Sequence, residues 1–254
     1  MLKGSSNVKN DPLLTANNVI ITISLENPLV FVHSAPHMKI LFLALLSLSS
    51  FSFANDGLTI PNSFQVDRSG NVFRGKEPKK QITELAQLGI TDVIIFKNDV
   101  RGEVVQEIAG LQQLGIKTYH IPFRWKEYPS MVEACEQTVD ALNIIQVVKS
   151  KGGKVFFHCT AGEDRTGMLA GLYRMLEERL NTQTIFTTEM CPRGYSDGNP
   201  NKPLLVSSAI EKELTPLFLA LSAKIERGEW RYGKLINKAT CRNLRVVPTN
   251  LKCH

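Results

Sequence analysis

Short apolar segments alternate with longer segments of helical pattern through the middle of the chain, and this alternation limits the possible folds more than any other feature. The apolar segments lie at 72–74, 92–96, 117–121 and 154–158. The helical segments are predicted at 79–88, 103–114, 130–150, 166–180, 185–190 and 203–226. Strands that alternate with helices predict an α/β fold, a central and mostly parallel sheet flanked by helices.

The composition is that of an ordinary globular protein. The chain has 254 residues, of which 43% are hydrophobic and 21% are charged. This balance excludes a mainly disordered chain, a collagen-like repeat protein and a coiled-coil protein. The formal net charge of +6 is mild and spread along the chain. It favours an anionic small substrate over a nucleic acid, because no basic cluster with interleaved aromatic residues is evident.

An apolar run near the N-terminus has the pattern of a secretory signal. Met38 and Lys39 precede the run, which ends with the small residues Ser52 and Ala54 at the positions that a signal peptidase requires. We expect residues 38–54 to be a signal peptide, cleaved after Ala54, and the protein to be exported, either periplasmic or secreted. A membrane anchor is the alternative, although serines interrupt the run.

The position of this signal predicts the remaining organisation. A signal peptide works near the start of a protein, so residues 1–37 are expected to be a disordered artefact of upstream translation, with Met38 as the start. Residues 55–254 are expected to form a single domain with a C-terminal tail, because 200 residues suit one core.

Five cysteines follow the predicted cleavage site, at positions 135, 159, 191, 241 and 253. An odd number in an exported protein leaves at least one thiol free. Cys241 and Cys253 could form disulfides that hold the C-terminal tail in place. Cys135 lies on an apolar helical stripe and is expected to be a small buried hydrophobic residue. A zinc site from Cys241, Cys253 and His254 lacks any recognised spacing, so no metal is expected.

The segment HCTAGEDRTG at 158–167 connects the last apolar strand to a helix. Successive backbone N–H groups in a tight loop and at a helix N-terminus bind a tetrahedral dianion. The predicted phosphate-binding residues are Thr160, Ala161, Gly162, Glu163, Asp164 and Arg165. The guanidinium of Arg165 can bind two phosphate oxygens at once. The positive potential of the loop, the helix N-terminus and Arg165 also favours the thiolate form of Cys159, the predicted nucleophile. Thr166 can donate to the sulfur when it leaves, and His158 can brace the loop.

This segment resembles the phosphate-binding loop of the protein tyrosine phosphatase superfamily, HCxxGxxR[ST]. The resemblance extends over roughly 64–223, and in setting it is closest to the bacterial tyrosine-phosphatase-like phytases. It implies a dual-specificity-phosphatase-like fold and a phosphoric monoester hydrolase. It also implies a two-step reaction through a phosphocysteine on Cys159, with no metal or other cofactor.

The resemblance leaves two candidates for the general acid. The family usually places an aspartate on a loop after the third strand, and here Trp125-Lys126-Glu127 resembles its Trp-Pro-Asp with glutamate as the acid. Glu127 is therefore the first choice. Asp164 is the competitor, because an aspartate directly before the loop arginine has the acid role in myotubularin-like and bacterial atypical lipid phosphatases.

The export signal and the resemblance together point to inositol polyphosphates as the substrate. Lys97, Arg124 and Lys126 are expected at the rim of the site, where they could bind additional phosphates. Ile95-Phe96-Lys97-Asn98 departs from the Asp-Leu-Arg-Glu of the phytases, and Glu163 places an anion in the loop, which opposes a polyanion.

Two other functions remain open. A dual-specificity protein or lipid phosphatase is one, with a phosphoprotein or a phosphoinositide as its partner. A pseudophosphatase that only binds phosphate groups is the other, but the intact Cys159, Arg165 and Thr166 argue against it.

Overall fold

The computed structural model describes residues 57–123, 131–245 and 251–254. The predicted upstream segment, the predicted signal peptide and all but the first residue of the predicted acid loop at 123–129 lie outside these residues.

A five-stranded sheet forms the centre of the described domain. Its strands are β1 (Phe64–Gln65), β2 (Val72–Lys76), β3 (Asp92–Ile95), β4 (Lys117–His120) and β5 (Val155–Cys159). Their order across the sheet is β1-β2-β5-β3-β4, with β1 antiparallel to β2 and the other neighbours parallel. The predicted α/β fold with a mostly parallel sheet is therefore confirmed, and only the short β1 was not expected.

Helices cover both faces of this sheet. They are α1 (Ile82–Gln87), α2 (Glu103–Gln113), α3 (Met131–Ser150), α4 (Asp164–Glu178), α5 (Thr182–Ile185), α6 (Leu204–Ala209) and α7 (Thr215–Glu226). The predicted helix at 185–190 is mainly a π-helical turn, Phe186–Met190, and the one at 203–226 is interrupted by a second such turn, Ile210–Leu214. None of the helices in the described ranges is long and apolar enough to cross a membrane.

The central strand β5 is buried on both faces, which explains its continuous apolar sequence. Phe156 points to the core beneath α1 and α2, where it packs with residues such as Leu85 and Leu111. Phe157 points to the larger core beneath α3, α4 and α7. Cys159 therefore lies at the carboxyl end of the most enclosed strand, the edge where parallel sheets bind ligands.

Two disulfides fasten the C-terminal tail to the domain. Cys135 of α3 is bonded to Cys241, and Cys191 is bonded to Cys253. The expectation that Cys135 is only a small buried hydrophobe was wrong, because a stripe of buried residues on a helix does not reveal that a distant cysteine packs against it. The zinc site is also excluded, since both thiols it requires are in disulfides.

The Cys135–Cys241 disulfide closes a long segment of chain, with a sequence separation of 106 residues. Constraining a loop of this length should stabilise the fold by about 4 kcal/mol through the unfolded state. We expect the double variant Cys135→Ala/Cys241→Ala to lower the free energy of unfolding in urea by roughly 2–5 kcal/mol. Adding a reductant to this variant should then have a smaller effect than adding it to the unchanged protein. Equal stability of the two proteins would contradict this role.

Candidate active site

The nucleophile candidate lies where β5 meets α4. Cys159 is the last residue of β5, is 3% exposed and is the one free cysteine in the described ranges. The loop of residues 160–163 follows, and α4 begins at Asp164. The first backbone N–H groups of a helix have no partner inside it. The thiol therefore lies beside a group of donors that suit an anion.

Gly162 brings the loop against β2 at a distance that no other residue allows. Its φ is +73°, and a Cβ there would lie 2.5 Å from the backbone of Gly75. Its carbonyl accepts hydrogen bonds from Arg74 Nη2 at 2.5 Å and from Asn62 Nδ2 at 3.0 Å. Two side chains from the N-terminal part of the domain thus fix the middle of the loop.

Arg74 is itself held by a buried cluster of charges. The side chain is fully buried, and its Nη1 lies 3.0 Å from Glu189 Oε1. The other carboxylate oxygen of Glu189 lies 3.0 Å from Arg174 and 3.4 Å from Arg193. A buried carboxylate shared by three guanidinium groups resists displacement, because breaking it would leave charge buried without a partner. Glu189 therefore fixes Arg74, and through Arg74 the middle of the loop.

Arg165 connects the loop to the ends of two other strands. Its Nη1 donates to the carbonyl of Phe96, just after β3, at 2.5 Å and to the carbonyl of Phe123, after β4, at 3.1 Å. One guanidinium nitrogen is thereby used for positioning, and the remaining N–H groups of the planar fork can bind phosphate. Because 124–130 follows Phe123, the predicted acid loop starts at a residue bound by Arg165.

The residues before Arg165 are held by a lysine that the sequence did not reveal. Lys202 Nζ lies 2.5 Å from Asp164 Oδ1 and 3.1 Å from Glu163 Oε2, and its side chain is only 5% exposed. The same Asp164 oxygen accepts a hydrogen bond from the backbone N–H of Ser196 at 2.9 Å. Burial raises the pKa of the Asp164 carboxyl above its usual value, while the charge of Lys202 opposes that rise.

A comparison with protein-family models gives a match to the tyrosine phosphatase family over residues 57–178. This range contains the β-sheet, the loop with Cys159 and Arg165, and all of α4. The protein therefore contains a domain of the tyrosine phosphatase family at residues 57–178. It is a phosphoric monoester hydrolase of the cysteine-dependent type.

Solved structures of phosphatases are similar at low identity. TpbA from P. aeruginosa has 21% identity and a TM-score of 0.45, and the match covers 63% of this chain and 91% of TpbA. The catalytic core of the PP-IP phosphatase SIW14 from S. cerevisiae has 21% identity and a TM-score of 0.44, with 66% of this chain and 94% of that core covered. A search of curated protein sequences gave no match.

Two further residues of this phosphatase complete the predicted loop. His158 is fully buried, with Nε2 2.8 Å from Glu107 Oε1 on α2, so it links the strand end to that helix. Thr166 is also fully buried, and its hydroxyl makes no hydrogen bond within the described part of the chain, Cys159 included. Donation from Thr166 to the sulfur stays a prediction for the step in which the thiolate leaves.

The predicted rim of the phosphatase site is described only in part. A cavity of about 500 Å³ opens beside Thr160 and Arg165, and Lys97 and Arg101 line it. Lys97 is paired with carboxylates, since its Nζ lies 2.6 Å from Glu77 and 3.3 Å from Glu103. Arg124, Lys126 and Glu127 lie outside the described residues.

The role of Lys202 could not be predicted from the sequence, because no motif or spacing relates this lysine to the phosphate-binding loop. It lies 38 residues after Asp164, in a segment without regular pattern. The partnership of Arg74 with Glu189 spans 115 residues and has no sequence signal either. An acidic pair in a phosphate-binding loop is the one available signal, because such a pair demands a nearby cation.

Lys202 should act as a positioning residue. Lys202→Met leaves two largely buried carboxylates without a cation, so we expect the free energy of unfolding to fall by about 3 kcal/mol. We also expect kcat/KM to fall by about tenfold, because uncompensated negative charge beside the loop opposes a dianion. Loss of the lysine raises the pKa of Asp164 further, and Asp164 is neutral below that pKa. The ratio of variant to unchanged kcat/KM should therefore increase as the pH falls from 8 to 5.

Lys202→Arg should retain most of the activity, because it keeps a cation at this position. Lys212→Met, at an exposed position, should change neither the free energy of unfolding nor kcat/KM. A ratio that stays constant with pH would show that Lys202 affects only folding.

Proposed function

We propose that the protein is an exported phosphatase that removes phosphate from inositol polyphosphates through a phosphocysteine intermediate. The observation that carries the proposal is the position of Cys159 at the end of β5, separated by the 160–163 loop from the N-terminus of α4. The Arg165 fork at that N-terminus is anchored by the carbonyls of Phe96 and Phe123. In the first step the Cys159 sulfur attacks phosphorus and the ester P–O bond breaks. In the second step water attacks the phosphocysteine, and the sulfur leaves as a thiolate.

The surroundings of the loop support a small polyanionic substrate. The cavity beside Thr160 and Arg165 is open and has room for a phosphorylated ring, with Arg101 as an exposed cation on its wall. The sequence-based objection from Glu163 is weakened, because Lys202 pairs with that carboxylate and offsets its charge. Phosphate groups beyond the reacting one would then bind Arg101 and the predicted rim cations Arg124 and Lys126.

Two disulfides support the proposed export. Disulfides persist in the periplasm and outside the cell and are rare in the cytosol. Together with the signal pattern at 38–54, they favour a protein whose mature chain begins at Asn55. N-terminal sequencing of the isolated protein should give that residue, and thiol titration without reductant should give one thiol per chain, that of Cys159. A retained apolar run would contradict cleavage.

The substrate is tested by phosphate release from three compounds under the same conditions. These are inositol hexakisphosphate, a phosphotyrosine peptide and a phosphoinositide, with the Cys159→Ser protein as the blank. Release mainly from inositol hexakisphosphate is the expected result. Release mainly from the peptide or the lipid would overturn the substrate proposal, and release from none of them would favour a protein that only binds phosphate groups.

Glu127 is proposed as the general acid. Asp164 is engaged by Lys202 and by the backbone of Ser196, which leaves it poorly placed to follow a leaving group. We expect Glu127→Gln to slow release from inositol hexakisphosphate by about 10²–10³-fold. The loss should be much smaller with p-nitrophenyl phosphate, because nitrophenolate leaves without being protonated.

Asp164→Asn is the matched control for this prediction. It should lower the activity on both substrates by a similar and modest factor, because it weakens a loop contact and removes no proton donor. If Asp164→Asn instead gives the loss that depends on the leaving group, the acid is Asp164.

A further inference from the structure

The loop of residues 228–236, which follows α7, is rigidly attached to α3. The carbonyl of Lys234 accepts a hydrogen bond from Gln146 Nε2 at 3.2 Å. Ile236 donates its N–H to Asn143 Oδ1 at 2.8 Å, and its carbonyl accepts from Asn143 Nδ2 at 2.9 Å. The backbone is therefore fixed on both sides of Leu235, and the orientation of this loop is set by the fold.

This fixed loop presents apolar and cationic side chains to solvent. Leu235 is 68% exposed and Tyr232 is 42% exposed. Arg231 and Lys234, which flank them in the sequence, are exposed as well. Holding a large apolar side chain outward between cations costs hydrophobic free energy, and such features mark surfaces that meet a partner.

A cleft beside the loop has the same combination of properties. It has a volume of about 740 Å³ and lies between the 228–236 loop and the C-terminal end of α4. Leu180, Ile225 and Trp230 contribute apolar surface, and Arg179 stands with Arg231 and Lys234 as cations. None of these three cations has an ion pair with a carboxylate among residues 57–123, 131–245 and 251–254.

The two carboxylates that reach the cleft are already engaged. Glu177 lies 2.6 Å from Lys149 Nζ, and Glu226 accepts hydrogen bonds from the backbone N–H and hydroxyl of Thr182 at 2.9 and 2.7 Å. Lys149 offsets the charge of Glu177, whereas the neutral Thr182 does not cancel that of Glu226. Three cations against this one carboxylate leave the cleft with a net positive charge.

We propose that the 228–236 loop and its cleft dock the protein on an anionic phospholipid surface. Leu235 enters the interface between headgroups and acyl chains, and Arg179, Arg231 and Lys234 bind lipid phosphates. Tyr232 stays at the level of the headgroups, because its hydroxyl donates to Glu177 at 3.3 Å and its ring packs against Tyr173. Apolar side chains with flanking cations are the chemistry that binds peripheral proteins to anionic bilayers. Docking leaves the active site free, because the phosphate loop is at the opposite end of α4, about 22 Å away along 15 residues.

The test compares the binding of the protein to vesicles of phosphatidylglycerol and of phosphatidylcholine by sedimentation. We expect binding to the anionic vesicles, and loss of most of it when the salt concentration is raised. Arg231→Glu/Lys234→Glu should weaken this binding by at least about 30-fold, since each basic residue near the surface contributes roughly fivefold. Leu235→Ser should weaken it severalfold at every salt concentration.

Lys80→Glu/Lys212→Glu is the matched control, because it makes the same change in net charge at exposed lysines elsewhere. It should bind anionic vesicles within about twofold of the unchanged protein. Turnover of p-nitrophenyl phosphate should be unchanged in all variants, which verifies that they are folded.

Three results would overturn the proposal. One is equal binding of the unchanged protein to the two kinds of vesicle. Another is an equal loss in the loop variant and in its control. The third is a preference for a poly-glutamate peptide over vesicles, which would assign the surface to an acidic protein partner.

Discussion

Replacing Cys159 with serine should abolish turnover and leave phosphate binding intact. A serine hydroxyl is a far weaker acid than a thiol and stays protonated, so it cannot replace a thiolate as nucleophile. Enzymes that lose their nucleophile lose activity on the order of 10⁶-fold in kcat. The donors that would hold phosphate, namely the N-terminus of α4 and the Arg165 fork, are unchanged by the substitution.

The measurement is single-turnover phosphate release together with calorimetric binding of inositol hexakisphosphate. Lys212→Ser is the control, because it introduces a serine at an exposed position outside the phosphate-binding loop and leaves the nucleophile in place. It should retain activity within about tenfold, as a surface substitution outside the contacts described above. Measurable turnover by Cys159→Ser would mean that another group attacks phosphorus.

Replacing Arg165 with lysine should have the second largest effect. The guanidinium both binds the carbonyls of Phe96 and Phe123 and keeps N–H groups for phosphate. An ammonium is a point charge on a flexible stem and cannot do both at once. We expect kcat to fall by about 10²–10³-fold, in line with the loss of one donor to the transition state, and KM to rise.

Arg101→Lys is the control for Arg165→Lys, because it makes the same replacement at an exposed arginine that lines the same cavity. The comparison shows whether the planar guanidinium is required at residue 165 in particular. Steady-state kinetics should show at most a severalfold change in KM for this variant. If Arg165→Lys retains near-normal kcat, then positive charge alone is sufficient and the fork geometry has no catalytic role.

The sheet and the catalytic loop could be predicted because each is encoded locally. The β5 strand is a continuous apolar run, as expected for a strand buried on both faces. The loop after it carries cysteine, glycine and arginine at a spacing that the phosphate geometry requires. Only the boundaries moved, since β5 includes Cys159 and α4 begins at Asp164, two residues before the predicted start.

The supports of the loop could not be predicted because they depend on contacts between distant segments. Glu189 serves three arginines that lie 115, 15 and four residues away from it. Glu163 looked like an anion that would repel phosphate until the fold brought Lys202 to it. Sequence patterns report the environment of a residue on its own strand or helix, but charge compensation is decided by tertiary packing.

The disulfides show the same limit. The odd cysteine count correctly predicted a free thiol, and the motif indicated which one it is. The pairing of Cys135 with Cys241 and of Cys191 with Cys253 had no sequence signal, because connectivity follows from which buried segments meet.

The central claim is that Cys159 carries the phosphoryl group during turnover, and acid quenching tests it most directly. The protein is mixed with p-nitrophenyl phosphate, quenched in acid within milliseconds and digested, and the peptides are analysed by mass spectrometry. We expect a phosphoryl group on the peptide that contains Cys159, formed together with a burst of nitrophenol and absent from Cys159→Ser. Steady phosphate release without any phosphorylated Cys159 would contradict it.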